Sequence, residues 1–390
     1  MRKEGTSDLD RRSILAGLGA AAFAASAQQA SAQTAKGQPL IGNPVLPIPM
    51  GERMRWAIVG LGSFGVGQVI PGFVDANASR MTAFVSGNPD KAKMLGERYG
   101  VSRFYGYDNF DDIARDPEID CVYIVLPVGL HAEYTIRALK AGKHVLCEKP
   151  MASTVSECEA MIAAAKAAGR QLGVAYRVHF EPTNIAAKTI IDAGEIGPIR
   201  NIRADHGFQA DPSWPPHKWR LTKELGGGGS MYDIGIYGLN TSLMMLKGDE
   251  PVSVSAVYAY PREDPRFAEV EGGIEWRLMM ASGAVVSGSS SYCYAPYQSF
   301  QHYMADKGAL EMEPATTYYD NRLVRQSGGP PSTVGTGNPI TQFAGQIDAF
   351  SSAARANKPH RTPGEMGLRD IRLIAAMYRS ADRNGEVLAL

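Results

Sequence analysis

The sequence predicts an α/β protein in which an N-terminal doubly wound, parallel-sheet domain is followed by an α+β domain with a large, mainly antiparallel open sheet. Two observations support this fold class. Across residues 54–176, short apolar strand patterns alternate with helical patterns, which is typical of a parallel sheet covered by helices on both faces. Across residues 177–390, long runs of alternating apolar and polar residues predominate, as expected for antiparallel strands.

The elements of the first domain follow from apolar runs and the links between them. They predict strands at 56–59, 82–86, 122–126, 144–147 and 171–176, and helices at 132–141 and 155–168. The second domain begins with a helical pattern at 182–192. Its alternating patterns predict strands at 199–209, 252–260, 273–280 and 284–292. Helical periodicity returns at 342–356 and 363–383, and these helices stay with the second domain or pack back on the first.

Residues 1–53 follow neither pattern. Arg11 and Arg12 precede a modestly apolar, alanine-rich stretch, and Ala30-Ser31-Ala32 has the small-x-small form of a cleavage site. We interpret residues 1–32 as a twin-arginine signal peptide, which predicts export of the folded protein to the periplasm by the twin-arginine machinery. Residues 33–53 are rich in proline and are either a loose tail or an arm that packs over its own or a neighbouring subunit.

The composition argues against several classes of protein. The 390 residues include 40 basic and 40 acidic side chains, a balance that gives no reason to expect nucleic-acid or lipid binding. No segment after the signal approaches the apolar run of a membrane helix, so we expect a soluble mature protein. The cysteines have no metal-binding spacing, and we predict neither a metal site nor a disulfide framework from Cys121, Cys147, Cys158 and Cys293.

A dinucleotide-binding motif follows the first predicted strand. The segment Gly60-Leu61-Gly62-Ser63-Phe64-Gly65 matches G-x-G-x-x-G and leads into an apolar helix through Val69. In that context the glycines permit a tight turn and let the backbone approach a pyrophosphate at a helix N-terminus, as in Rossmann domains. The motif alone is weak evidence in a chain with 42 glycines, and its place between strand and helix makes it specific.

The end of the second strand favours NADP over NAD. Where an NAD site places Asp or Glu, the chain reads Ser86-Gly87-Asn88, so no carboxylate stands there to repel a 2′-phosphate. Ser86 can donate a hydrogen bond to that phosphate, and the ammonium of Lys91 can reach it. Taken alone, Lys91 is more typical of a solvated helix residue.

A second candidate segment is Glu148-Lys149-Pro150, directly after the strand at 144–147. Ligands of doubly wound sheets bind at this carboxyl edge of the strands. The ammonium of Lys149 can stabilise a substrate oxygen that becomes negative. A structural lysine in a strand-to-helix turn is the alternative.

The third segment is the glycine run at 226–229 and the helix that we predict after it. Asp233 and Tyr237 stand four residues apart and therefore share one face of that helix. Ser230 and Asp233 also match a capping box, which explains an acid at that place but not the phenol one turn later.

At these residues the chain resembles the large family of glucose-fructose oxidoreductase, inositol dehydrogenase and related sugar dehydrogenases, over essentially the whole mature chain. The shared features are the glycine motif, the Glu148-Lys149-Pro150 turn and the Asp233-Ile234-Gly235 helix. Most of the family has histidine where this chain has Tyr237. Tyrosine there, the export signal, the proline-rich arm, Tyr176-Arg177-Val178-His179, and Ser86 with Lys91 are similar to the periplasmic glucose-fructose oxidoreductase branch.

The resemblance implies a reaction. In the family, Lys149 and Asp233 position the reacting sugar hydroxyl, and the residue at 237 shuttles its proton. We hypothesise that Tyr237 removes the C1 hydroxyl proton of a cyclic aldose to give a lactone, and then protonates a second sugar while NADP stays bound. A free tyrosine has a pKa of about 10, so we expect the Lys149 ammonium to lower the pKa of Tyr237.

The acceptor sugar and the cofactor cycle leave alternatives. Residues 207–218 differ from the fructose-reducing member of the branch, which favours an aldose-aldose oxidoreductase that reduces an aldose to its alditol. The alternatives are a glucose-fructose oxidoreductase, a conventional NADP-dependent sugar dehydrogenase or reductase with exchangeable cofactor, and a non-catalytic sensor. We expect the protein to self-associate as a dimer or tetramer.

These considerations give a set of site residues. The catalytic residues are Lys149, Asp233 and Tyr237. The cofactor residues are Gly60, Gly62, Ser63, Phe64, Gly65, Ser86, Lys91, Leu126, Pro127, His131, Glu148, Lys149 and Arg177. The sugar-binding residues are Tyr176, Arg177, Trp219, Arg220, Asp233 and Tyr237, although Trp219 is as typical of packing as of sugar contact.

Overall fold

A computed structural model describes residues 46–246 and 248–390 of the chain. The predicted signal peptide and residues 33–45 of the predicted arm lie outside the described residues. Within the described residues the chain forms a parallel sheet of six strands and then a mixed, mostly antiparallel sheet of nine strands, so the predicted fold class is confirmed.

The first sheet has the strand order β3-β2-β1-β4-β5-β6, and all its pairings are parallel. Its central strands are buried on both faces: Ala57, Ile58 and Val59 have no exposed surface. That burial explains why these strands read as continuous apolar runs instead of alternating ones. The strands are β1 (Met54–Val59), β2 (Ser79–Val85), β3 (Arg103–Tyr105), β4 (Cys121–Ile124), β5 (His144–Glu148) and β6 (Leu172–Ala175).

Helices connect these strands on both faces. The helix at Val155–Ala168 shows how local sequence sets the ends: the Thr154 hydroxyl accepts a hydrogen bond from the Glu157 amide, Glu157 bonds back, and Gly169 ends the helix with φ of +61°. The helices are α1 (Ile70–Val74), α2 (Pro89–Tyr99), α3 (His131–Lys140) and α4 (Val155–Ala168), with a π-helical turn at Gly65–Val69 and 3-10 turns at Met50–Glu52, Phe110–Arg115 and Val128–Leu130.

The second sheet has the order β14-β13-β12-β11-β7-β10-β9-β8-β15. The long strand β7 is central, paired parallel with β10 and antiparallel with β11. The strands are β7 (Ile199–Gln209), β8 (Pro251–Tyr258), β9 (Gly273–Met280), β10 (Val285–Ser291), β11 (Cys293–Ala305), β12 (Gly308–Met312), β13 (Leu323–Gln326), β14 (Ser332–Val334) and β15 (Leu388–Ala389).

The helical segments of the second domain join the two sheets and carry the candidate site. They are α5 (Pro182–Asp192), α6 (Pro215–Lys218), α7 (Lys223–Gly226), α8 (Ile236–Met245), α9 (Thr341–Ala356) and α10 (Gly364–Ala381), with a π-helical turn at Met231–Gly235 and 3-10 turns at Arg177–Phe180, Trp219–Leu221 and Pro265–Phe267. The π-helical turn continues directly into α8, which packs against β7 and β10.

The helix α9 packs on the first sheet. The Asp348 carboxylate accepts hydrogen bonds from the amides of Asn77 (2.6 Å) and Ala78 (2.9 Å), and the Trp56 indole donates to the Ser351 hydroxyl at 3.0 Å. These contacts lie just before β2 and early in β1, so they fix the middle of α9 against the amino ends of these strands. Helix α10 packs between α4 and β8.

In the part of the chain that the structure describes, no helix has the length and apolarity needed to cross a bilayer. The four cysteines are free thiols, of which Cys121, Cys147 and Cys158 are buried.

Candidate active site

A cleft of about 1100 Å³ opens at the carboxyl edge of the first sheet, between that sheet and the second domain. Its walls come from the glycine turn after β1, the ends of β4 and β5, the π-helical turn, and a loop at 315–321 between β12 and β13. The predicted catalytic residues Lys149, Asp233 and Tyr237 all line it. The topology therefore brings the separate sequence motifs into one space.

The glycine turn has the shape of a nucleotide cradle. Gly60 has φ of +99°, and a Cβ there would lie 2.3 Å from the carbonyl oxygen of Val125. A Cβ at Gly65 would lie 2.7 Å from the Gly60 carbonyl oxygen, so both positions require glycine. At Gly62 no atom lies within 4 Å of a Cβ, so its backbone faces open space in the cleft. A pyrophosphate fits this geometry.

The end of β2 fits a phosphorylated ribose. Ser86, Asn88 and Lys91 line the cleft. Asn88 is the N-cap of α2, where its side chain accepts a hydrogen bond from the Lys91 amide at 2.9 Å, and this cap places Lys91 in the first turn. The local donors are a hydroxyl and an ammonium, with no carboxylate at the strand end, and this donor set suits the extra phosphate of NADP.

His131 does not line the cleft, which corrects the prediction that it binds cofactor. It is 1% exposed, and its ring nitrogens lie 2.8 Å from the carbonyl oxygens of Pro150 and Leu126. His131 instead connects two loops that line the cleft, one at Leu126 and one at Pro150, from the side of the protein interior. One loop carries the predicted cofactor residues Leu126 and Pro127, and the other follows Glu148, the predicted cofactor residue at the end of β5.

Lys149 and Asp233 are held in contact. The Lys149 ammonium donates to the Asp233 carbonyl oxygen at 2.6 Å and lies 3.9 Å from its carboxylate. That carboxylate also lies 3.0 Å from the Arg220 Nε and accepts a hydrogen bond from the Tyr292 hydroxyl at 3.2 Å. Burial alone raises the pKa of Asp233, but Arg220 and Lys149 outweigh it and hold this pKa below its usual value. Asp233 is therefore an ionised acceptor.

Tyr237 lies beside this pair and is 8% exposed. Burial raises the pKa of Tyr237 above its usual value, and Arg177 opposes that increase. Lys149 was predicted to lower this pKa, but its ammonium is not the group that hydrogen-bonds the phenol oxygen. The Lys149 ammonium lies over the ring, 4.4 Å from its centroid, whereas the hydroxyl accepts a hydrogen bond from the Arg177 Nε at 3.3 Å.

The predicted capping box at Ser230 is wrong. The Ser230 hydroxyl lies 3.1 Å from the Ser290 hydroxyl and caps no backbone amide. The buried carboxylate of Glu271 performs that role, accepting hydrogen bonds from the amides of Gly229 at 2.7 Å and Met231 at 2.8 Å. A Cβ at Gly229 would lie 1.9 Å from the Glu271 carbonyl oxygen, so the last position of the glycine run requires glycine.

The predicted sugar-binding residues divide into two groups. Arg177, Trp219 and Arg220 line the cleft, and the Arg220 guanidinium stacks over the Trp219 ring at 4.3 Å. Tyr176 has no exposed surface and belongs to the hydrophobic core, so its prediction as a wall residue is corrected. A 3-10 turn begins at Arg177, directly after Tyr176. Tyr176 therefore packs in the core, whereas Arg177 lines the cleft.

The sequence predictions missed several contributors to the site. Tyr292 directly follows β10 and bonds to Asp233, and Gln342 on α9 accepts a hydrogen bond from Arg177 at 2.7 Å. The cleft is also lined by the 315–321 loop. Tyr292 ends a predicted strand, which was a usable signal. Gln342 had none, because its role depends on where α9 folds.

Comparison with known proteins agrees with this geometry. Residues 54–176 match the family model for the "Oxidoreductase family, NAD-binding Rossmann fold", and residues 185–311 match the model for the "GFO/IDH/MocA C-terminal domain". A D-xylose 1-dehydrogenase [NADP(+)] from Haloarcula marismortui is 30% identical over 339 residues, covering 86% of this chain and 92% of that protein.

Solved structures give the same result. The aldose-aldose oxidoreductase from Caulobacter crescentus, complexed with glycerol, has a TM-score of 0.82 and 42% identity, covering 87% of this chain and 100% of the other. A 3-ketoreductase from Actinomadura kijaniata, in complex with NADP and TDP-benzene, has a TM-score of 0.73 and 26% identity, covering 84% and 98%. The chain therefore belongs to the GFO/IDH/MocA family and is an NAD(P)-dependent oxidoreductase.

Proposed function

We propose that the protein is a periplasmic aldose-aldose oxidoreductase with tightly bound NADP, which oxidises one aldose to its lactone and reduces a second aldose to its alditol. The observation that carries this proposal is the cluster of Lys149, Asp233 and Tyr237 in one cleft with the nucleotide cradle. The names of the xylose dehydrogenase and of the aldose-aldose oxidoreductase support sugars as the substrate class.

The residues present fit NADP. The glycine turn would hold the pyrophosphate, Ser86 and Lys91 would hold the 2′-phosphate, and Glu148 at the end of β5 would lie beside the nicotinamide. NADP held there would supply a hydride acceptor for C1 of the first sugar and then a hydride donor for the carbonyl carbon of the second.

In the oxidative half-reaction, the side chains act on the C1 hydroxyl of a cyclic aldose. The Lys149 ammonium and the ionised Asp233 orient that hydroxyl, and the Tyr237 oxygen accepts its proton as the C–O bond becomes the lactone carbonyl. The ammonium donates one of its hydrogens to the Asp233 carbonyl oxygen, which leaves two for a sugar oxygen.

The reductive half-reaction reverses these roles. Once the lactone has left, the open-chain carbonyl of a second aldose binds in the same place, where the ammonium polarises its oxygen. Tyr237 then donates the proton that it kept from the first sugar. Protons and electrons balance over the two halves, so the cycle needs no external oxidant or reductant.

Contacts across the cleft support tight retention of the nucleotide. The Gln68 side chain, next to the glycine turn, donates a hydrogen bond to the Tyr319 hydroxyl of the 315–321 loop at 2.6 Å. Phe64 packs against both Tyr318 and Phe343, with ring centroids 6.1 and 6.0 Å away. The second domain therefore contacts the nucleotide turn itself and narrows the path for release. Retention in turn suits the proposed export, because a folded protein would carry its cofactor with it.

Product analysis tests this proposal. Purified protein given xylose alone, without added nucleotide, is expected to form xylonolactone, or xylonate after hydrolysis, and xylitol in equal amounts. Labelled fructose supplied with glucose identifies the acceptor, because label in the alditol indicates the glucose-fructose reaction. A protein that forms xylonate only when NADP is added, with no xylitol, is a conventional dehydrogenase, and the proposal is then wrong.

A further inference from the structure

Arg177 is a buried cation whose partners are almost all neutral. It is 3% exposed, and its guanidinium donates to the Gln342 side-chain oxygen at 2.7 Å and to the carbonyl oxygens of Thr316 at 2.6 Å and Thr317 at 3.3 Å. Within the described residues, no carboxylate forms an ion pair with it. A buried charge without an acid partner strongly favours an anion beside it.

A fourth donor of this guanidinium points at the proposed base. The Nε of Arg177 lies 3.3 Å from the Tyr237 oxygen, and the guanidinium carbon lies 4.6 Å from the centre of the Tyr237 ring. Among its hydrogen-bond acceptors in the described residues, only this phenol can ionise. The neutral partners fix the cation in place without weakening its charge.

We propose that Arg177 is the positioning residue that makes Tyr237 an effective base, by stabilising the phenolate through Nε and through a charge that no carboxylate of the described residues pairs with directly. This inference rests on the proposed function and refines it. It assigns to Arg177 the lowering of the Tyr237 pKa that was predicted for Lys149. Lys149 contacts the ring face and the Asp233 backbone instead, which leaves its ammonium free for the sugar oxygen.

Other ionisable groups surround Tyr237. The charges of Glu148 and Asp233 raise the pKa of Tyr237. The Lys149 ammonium lies over the ring and favours the phenolate. His206 on β7 is buried, and burial lowers its pKa to about 4, so it carries no charge near neutral pH. The remaining groups are phenols whose own pKa values are raised by burial, namely Tyr123, Tyr297 and Tyr318. Arg177 is therefore the positive group that donates a hydrogen bond to the reacting oxygen.

Helix α9 holds this arrangement. Gln342 binds Arg177, and one turn later Gln346 donates to the Tyr123 hydroxyl at 2.8 Å, which in turn donates to Glu148 at 2.7 Å. Helix α9 thus positions both the Arg177 guanidinium and the Glu148 carboxyl. A change at Gln342 should loosen the guanidinium without removing its charge.

A direct titration of Tyr237 tests the inference without any turnover. Protein labelled with 13C at the tyrosine ζ carbon is followed by NMR against pH over the folded range, with Tyr237→Phe assigning the signal. Arg177→Met is expected to raise the pKa of Tyr237 by one unit or more, and Arg177→Lys to restore part of the shift. Lys149→Met is expected to raise it less, because that ammonium faces the ring and not the oxygen.

The pH dependence of the half-reactions gives a second readout. Oxidation needs the deprotonated Tyr237 and rises with pH, whereas reduction needs the protonated form and falls. A higher pKa of Tyr237 in Arg177→Met moves the pH profiles of both half-reactions to higher pH. At a fixed pH below that pKa, the rate of the oxidative half-reaction then falls about tenfold for each unit by which the pKa rises. If Arg177→Met does not fold, Gln342→Ala is expected to shift the signal in the same direction by less.

Three results would overturn the inference: an unchanged Tyr237 titration in both Arg177 and Gln342 variants, a larger shift in Lys149→Met, or a wild-type Tyr237 that never ionises while the protein is folded. Failure of the sugar cycle alone appears in product analysis and leaves the titration unaffected. The two proposals can therefore fail separately.

Discussion

Replacement of Tyr237 by phenylalanine is expected to lower sugar turnover by about a hundredfold to ten-thousandfold, the range typical of a lost general acid-base group. The ring fills the same buried space, so the variant should fold and keep its nucleotide. The loss should affect both half-reactions equally, because one oxygen accepts and returns the same proton. Lactone and alditol formation, measured with nucleotide content per subunit, check this result.

A matched control is Tyr99→Phe, which removes a phenol hydroxyl at the end of α2, outside the residues that line the cleft. Turnover in this control should stay within about twofold of the original. If Tyr237→Phe keeps normal turnover, Tyr237 is not the proton carrier.

Replacement of Glu271 by alanine is expected to destabilise the protein by about 2–4 kcal/mol and to reduce turnover. The change leaves the buried amides of Gly229 and Met231 without an acceptor, and a buried unsatisfied donor costs about 1–3 kcal/mol. Because these amides begin the turn that carries Asp233, the contact between Asp233 and Lys149 should weaken as well. Chemical denaturation and steady-state kinetics measure the two effects.

The control for Glu271 is its exposed neighbour Glu269, which accepts one hydrogen bond from the Lys223 amide at the surface. Glu269→Ala should cost less than about 1 kcal/mol, the value of an ordinary cap. Equal losses from the two variants would show that the buried carboxylate has no special role in holding the turn.

These cases also show what the sequence could predict. The helix Val155–Ala168 was predicted with its observed bounds, because Thr154, Glu157 and Gly169 mark both ends within the local sequence. The nucleotide turn was equally accessible, since Gly60 and Gly65 are required by backbone contacts between neighbouring elements of one motif. Where local chemistry decides the conformation, the prediction succeeded.

The failures arise where distant contacts decide. Ser230 has the sequence of a cap, yet Glu271 takes that role from 40 residues away along the chain. Tyr176 and His131 lie at ends of elements, where alternation no longer tells which side chain faces the cleft. The strand at Cys293–Ala305 was not predicted, because its extended form depends on pairing with β7.

The central claim is that NADP remains in this protein and is reset by alternating sugars. The most direct test is the ultraviolet absorbance of the mature protein, purified from the periplasm without added nucleotide. We expect bound NADP to be present, absorbance of the reduced nicotinamide to rise when one aldose is added, and this absorbance to fall when a second aldose follows. Protein that emerges without nucleotide, or that cycles only with NADP supplied from solution, would show that the cofactor is exchanged and not retained.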